Sequence, residues 1–213
     1  MTETYNIKSL PDNSEKLKIL RYAQNTFFRN GFYKITITQL SRELAVSKNT
    51  IYKFFPTKDH LVRESIYEVI QNARMYIGEI IGSRSNAIEK LYKMLEILSS
   101  IINRFQPKWM SDLQIHMPKL WEEIDEMRRK LMYRNLGKII EQGRREKLFE
   151  SYPSDITITI FISSLRAIVN PQFLLNMKET YNEIINYAFE ILLNGILTDK
   201  GKKIFKQLKA KQK

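Results

Sequence analysis

Residues 47–58 set out side chains suited to the surface of a DNA duplex: Ser47, Lys48, Asn49 and Thr50, then Tyr52, Lys53 and Lys58. The major groove admits one helix, and side chains at its N-terminal end must be long or polar enough to reach base edges. Lys48 can donate to guanine, Asn49 can pair with adenine, and Thr50 can touch a thymine methyl group or a phosphate. Tyr52, Lys53 and Lys58 can hold phosphates, and Lys58 stands where a further helix opens, so free backbone amides also favour an anion there. Val46, Ile51 and Phe55 fall on the opposite, apolar side, giving the segment an inward and an outward face. An ordinary capped surface helix has the same spacing, and spacing alone does not separate the two.

Other chemistries find less support. The chain has no cysteine and only two histidines, His60 and His116, which removes disulfides, thiolate chemistry and a histidine-rich metal site. The acid–base candidates are Glu122, Glu123, Asp125 and Glu126, but they are dispersed around a helix beside Arg128, Arg129 and Lys130, the pattern of a solvated face with i,i+4 pairs. No phosphate-cradling glycine loop or nucleophile elbow is present. The chain reads as non-enzymatic, with no cofactor and no metal.

The elements that must position the residues 47–58 read as helices punctuated by six prolines, Pro11, Pro56, Pro107, Pro118, Pro153 and Pro171. Asn13 or Ser14 caps a first helix over 14–30 with Leu17, Leu20, Ala23 and Phe27 on one face, and Gly31 suits the left-handed position past its end. Thr36 and Gln39 form a capping box for a short helix over 37–45, and Ser47 caps another that runs through Phe54. Thr57 caps a fourth, whose stripe Val62, Ile66, Val69, Ala73, Ile77 and Ile80 reaches Gly82. Ile88, Leu91, Leu95, Leu98 and Ile102 continue at helical period; a shorter stretch fills 107–118, and a long helix over 118–143 is closed by Gly143. Residues 156–162 alternate with β-branched types and in isolation read as a strand. A lone strand would leave its backbone groups unpaired, so 155–169 is expected to be helical. The last expected helix, 177–197, carries Ile184, Ala188, Ile191, Leu192 and Gly195.

The formal net charge of +12 is unevenly spread. Basic residues exceed acidic ones by five in residues 1–65 and by seven in 200–213, while 66–199 are balanced. Basic excess points to a polyanion, most often nucleic acid, although a lysine-rich tail also reads simply as a solvated, frayed end. Met1 to Asn13 has no apolar core of signal-peptide length, and no run approaches the ~18 apolar residues of a spanning helix. The expectation is a cytoplasmic protein with no membrane partner.

Residues 17–66 resemble the N-terminal domain of TetR-family regulators. The resemblance is carried by Leu44-Ala45-Val46-Ser47-Lys48-Asn49-Thr50-Ile51-Tyr52-Lys53-Phe54-Phe55-Pro56-Thr57-Lys58-Asp59-His60-Leu61, in which Val46, Ser47, Ile51, Tyr52, Phe55, Lys58, Asp59 and Leu61 match in register. Upstream, Phe27-Phe28-Arg29-Asn30-Gly31-Phe32 is similar to the family's aromatic helix end and glycine turn, with Thr36 and Thr38 at the start of its second helix. Two positions depart: Ala45 replaces the turn glycine, and Phe54 replaces a histidine, so that phosphate contact must move to Lys53 or Lys58.

The resemblance implies an all-α, sequence-specific transcriptional regulator. Residues 1–13 would be an N-terminal tail, 14–64 a three-helix helix-turn-helix domain, 65–199 a helical effector-binding and dimerisation domain, and 200–213 a basic tail. Thr36, Thr38, Ser47, Lys48, Asn49, Thr50, Tyr52, Lys53 and Lys58 would bind an operator in double-stranded DNA. The implied mode is a homodimeric repressor released by an unidentified, largely apolar effector. Trp109, Met110, His116, Met117, Trp121 and Tyr133 are candidates to line the effector pocket, with core packing as the alternative. Ile184, Ala188, Ile191 and Gly195 are candidates for the dimer interface. The competing reading is a helical adaptor that binds acidic surfaces through its basic ends.

Overall fold

A computed structural model of the protein describes residues 15–168, 173 and 177–210. The described residues form helices α1 (Glu15–Asn30), α2 (Ile37–Glu43), α3 (Lys48–Phe54), α4 (Lys58–Gly82), α5 (Ala87–Ile102), α6 (Pro107–His116), α7 (Pro118–Arg145), α8 (Ser154–Ile168), α9 (Tyr181–Asn194) and α10 (Asp199–Ala210). The expected caps Asn13 and Ser14 and the whole expected N-terminal tail, 1–13, lie outside the described residues. The chain divides into two compact units, one of residues up to 73 together with 104–120, the other of 74–103 and 121 onward.

In the first unit α1 buries Ile19, Leu20, Ala23, Phe27 and Phe28, and Gly31 takes φ +74 just beyond its end. The hydroxyl of Thr36 accepts the N–H of Gln39 at 3.1 Å to open α2. The return half of the expected capping box is replaced: the Gln39 side chain donates forward to Glu43 Oε1 at 3.1 Å. Ser47 accepts the Thr50 N–H at 3.0 Å to open α3, and Thr57 accepts the His60 N–H at 3.0 Å within the first turn of α4. Leu40, Ile51, Phe55, Leu61 and Val62 are fully buried between these helices. Residues 104–120, expected in the larger domain, belong here because the Trp109 ring meets Phe28 edge-on at 4.8 Å and Phe32 at 5.3 Å. An aromatic ring that buries completely against a distant helix decides the partition more strongly than chain order does.

In the second unit the turn between α4 and α5 is tied to α7 by polar groups. Buried Lys90 donates to the Ile81 carbonyl at 2.7 Å and to Gln142 Oε1 at 2.9 Å. Gln142 donates to the Ser85 carbonyl at 3.0 Å, and Glu146 accepts the Ala87 N–H at 2.9 Å. These contacts satisfy a buried ammonium and the loose end of a helix together. Residues 156–162 are helical, within α8, where Thr157, Ile158, Phe161 and Ile162 are buried.

Two expected boundaries move. Gly143 does not end a helix: α7 continues to Arg145, and the chain turns at Lys147 with φ +57. A Cβ on Gly143 would lie 2.1 Å from the Phe149 ring, so the glycine is there to let the following segment fold back. The expected basic tail is largely the helix α10, which buries Gly201 and Phe205 and packs on α5. Its start is pinned by the Thr198 N–H to Leu148 carbonyl bond at 3.0 Å, beside a single antiparallel bridge between Phe149 and Leu197. Lysines read as a frayed end are the outer face of an amphipathic helix whose inner face was short enough to miss.

Candidate nucleic-acid interface

The tight turn between α2 and α3 sets the site. The Val46 N–H reaches the Ser41 carbonyl at 3.0 Å and the Ala45 N–H reaches Arg42 at 3.2 Å, the paired bonds of a Schellman turn. Ala45 sits at its left-handed position with φ +55, where glycine is the unstrained residue. The conformation of the turn is therefore retained despite the substitution, at a local steric cost. Ser47 follows at once and caps α3.

On α3, Ile51 is buried while Lys48, Asn49, Tyr52 and Lys53 are exposed. Thr50 is half-buried, and its hydroxyl lies 2.9 Å from that of Ser47, so both hydroxyls have a local partner. Thr36 and Thr38 are exposed at the start of α2. Lys53 extends to 5.6 Å from the Phe54 ring centre. Eight of the nine predicted contact residues thus share the solvent-facing turns of α2 and α3, in one unit and within short reach along the chain.

Lys58 differs. Its ammonium donates to the Tyr33 carbonyl at 2.9 Å and lies 6.0 Å from the Phe32 ring centre. Burial pushes it below the ordinary lysine value, against the opposing pull of Asp59 and Asp112. It holds the loop before α2 as well as standing at the α4 N-terminus. Tyr33 itself, missed at the sequence level, stacks on His116 at 3.6 Å.

A model of bacterial regulatory proteins of the tetR family matches residues 19–65, the stretch that contains most of α1, and α2 and α3 with the Schellman turn between them. Residues 19–65 thus form a tetR-family N-terminal domain. That domain makes the chain a helix-turn-helix DNA-binding transcriptional regulator. This regulator is 22% identical over 168 residues to the HTH-type transcriptional regulator YvaF of Bacillus subtilis (strain 168), spanning 78% of this chain and 88% of that one. A putative transcriptional regulator from Saccharomonospora viridis, in complex with choline, shares the fold with a TM-score of 0.69 at 16% identity over 86% of this chain and 97% of that one. FadR from Bacillus subtilis in complex with stearoyl-CoA does so with a TM-score of 0.62 at 18% identity, over 84% and 98%.

The predicted effector-pocket residues divide between the two units. Trp109, Met110, His116 and Met117 belong to the first unit, Trp121 and Tyr133 to the second. Trp109 is core packing for α1, its surface taken by Phe28, Phe32 and Phe105. His116 is exposed on Tyr33, and Tyr133 is exposed and donates to Asp155. Trp121 lies under the Arg128 guanidinium at 5.6 Å. Met110 and Met117 are half-buried.

The interface candidates also divide. The inward stripe of α9 is Ile185, Phe189 and Leu193, flanked by Ile184 and Ala188, so these last two are core residues of the single chain. Ile191 faces outward and Gly195 is exposed. Of the acidic residues weighed for catalysis, Asp125 binds Arg166 at 2.8 Å and Glu126 binds Lys130 at 2.8 Å. Among the described residues no group of three or more histidine, aspartate or glutamate side chains could hold a metal, and no helix is long and apolar enough to cross a membrane.

Proposed function

We propose that this protein is a cytoplasmic homodimeric repressor that binds a two-fold symmetric operator and is released by a small, largely apolar effector. The observation that carries the DNA half is the outward face of α3, where Lys48, Asn49, Tyr52 and Lys53 project beyond a capped, turn-anchored helix. Lys48 and Asn49 read bases, and Tyr52, Lys53 and Lys58 hold the backbone. Exposed apolar side chains on α8 and α9 support the dimer: Ile156 is 57%, Ile160 51%, Tyr187 56% and Ile191 72% exposed. These two helices pack on each other, so the four residues belong to one helical layer that a second copy can cover. Effector control is supported by the choline and stearoyl-CoA complexes of proteins with this fold.

The test is selection of bound duplexes from a random pool by the full chain, followed by titration of the recovered site. A two-fold symmetric site with half-sites about 10 bp apart, or a multiple of that spacing, is expected. Asn49→Ala should relax preference at one base position. Enrichment of no sequence, together with equal affinity for vesicles of acidic lipid, would favour the adaptor reading instead.

A further inference from the structure

Asp112 has a side chain only 1% exposed and belongs to α6, a helix to which operator recognition assigns no part. Its Oδ2 accepts the backbone N–H of Tyr33 at 2.8 Å. The same peptide plane's neighbourhood is held from the other side, where Lys58 of α4 donates to the Tyr33 carbonyl at 2.9 Å. Residue 33 is therefore fixed at both its donor and its acceptor. Its ring is fixed too, stacked on His116 with the planes 5° apart. Three residues later Thr36 caps α2. The position of Tyr33 thus sets where α2 starts, and α2 packs on α3.

The surroundings of the carboxylate are built for this contact. Gly31, at φ +74, leaves the space it occupies: a Cβ there would lie 2.4 Å from Asp112 Oδ2 and 2.7 Å from Lys108 Cγ. Lys108 pairs with the other oxygen at 2.9 Å, one turn earlier on α6. At the N-terminal end of α6 the Gln106 N–H donates to the Phe28 carbonyl at 2.9 Å, so the helix is registered on α1 there and on the following loop through Asp112. A buried carboxylate that accepts a loop amide across 79 residues of sequence is a positional device, since packing alone would be served by an apolar side chain.

We infer that Asp112 is a positioning residue for operator recognition: its carboxylate holds the Tyr33 amide and thereby sets the α2–α3 pair at the angle that reads base edges. The inference rests on the DNA-binding reading. A contact that only sets angle matters for base readout, which needs close geometry, and little for phosphate attraction, which is long-ranged and tolerant. Loss of Asp112 should therefore lower specific affinity and spare non-specific affinity.

The experiment measures the ratio of affinities for the duplex that the wild type selects and for a scrambled duplex of equal length, at one salt concentration, with melting followed in parallel. Asp112→Ala, and the apolar near-isostere Asp112→Leu that keeps the helix packed, should each lower that ratio about tenfold, with scrambled-duplex affinity and its salt slope unchanged. Asp112→Asn, whose amide oxygen still accepts from Tyr33, should keep the ratio within about twofold of wild type. An unchanged ratio in the Ala and Leu variants, with only melting lowered, would make Asp112 a stability residue and overturn the inference. Equal loss in the Asn variant would overturn it as well, because the amide acceptor would then not be what matters. A wild type that enriches no sequence would remove the DNA-binding reading and this inference together, a result distinct from either variant outcome.

Discussion

Single side chains carry the departures from the family pattern, and Ala45 is the sharpest of them. Its φ of +55 costs an alanine roughly 1–2 kcal/mol relative to glycine, while glycine adds about 0.4–1 kcal/mol of unfolded-chain entropy. Ala45→Gly should then stabilise the protein by about 0.5–1 kcal/mol, read as a higher urea midpoint at unchanged slope, and Ala45→Val should lower that midpoint. Asp112 gives a pH prediction. Burial pushes its carboxyl up, but the Tyr33 N–H, Lys108 and the Phe32 N–H outweigh this and hold it below the ordinary aspartate value. A depressed folded value means that its stabilisation is complete above the unfolded value of about 3.9 and disappears as pH falls through the folded one. Denaturation midpoints measured from neutral pH down to about pH 3 should fall less steeply in Asp112→Asn than in wild type; equal slopes would show that the carboxylate contributes nothing to acid sensitivity.

At the scale of elements, what the sequence made legible was local. Thr36, Ser47 and Thr57 announce helix starts because a cap is a contact between residues three apart, and Gly31 announces a left-handed turn because few other residues take it. The outward face of α3 was readable for the same reason, from the alternation of Ile51 with Lys48, Tyr52 and Lys53. Long-range choices were not readable. Trp109 could line a pocket or pack on α1 as far as its type goes, and only the distant Phe28 and Phe32 decide it. That Lys58 also donates to the Tyr33 carbonyl was not readable either, because the acceptor lies 25 residues away. Gly143 misled because glycine has two uses, ending a helix and admitting a close neighbour, and the neighbour here is Phe149. Gly143→Ala accordingly sets about 1 kcal/mol of helix propensity against a ring displaced within the core, which costs about 1–3 kcal/mol. A lower melting temperature is expected, and a higher one would mean that the Phe149 ring moves aside freely.

For the whole molecule, the exposed isoleucines of α8 and α9 distinguish assembly from folding. Ile160→Asp and Ile191→Asp change residues that a single chain leaves exposed, so helicity and the unfolding slope should persist while sedimentation shifts from dimer to monomer. Each fully buried isoleucine contributes roughly 1.5–3 kcal/mol, and two-fold symmetry counts every contact twice. Ile184→Arg, by contrast, strikes the core of the single chain and should unfold it. A monomer holds one recognition helix, so loss of the dimer should reduce operator affinity to that of a half-site. The effector enters through linkage. α4 runs unbroken for 25 residues and supplies side chains to both compact units, so one helix takes part in each. If an effector binds the operator-free state more tightly, operator must weaken effector binding by the same factor by which effector weakens operator binding. Small, largely apolar molecules, the effector class proposed above, are the compounds to screen by thermal shift. Any hit is then titrated with and without the selected operator, expecting equal factors of about 5–150 in the two directions. Tight ligands that leave operator affinity unchanged would identify the second unit as a dimerisation scaffold, with regulation resting on the amount of protein alone.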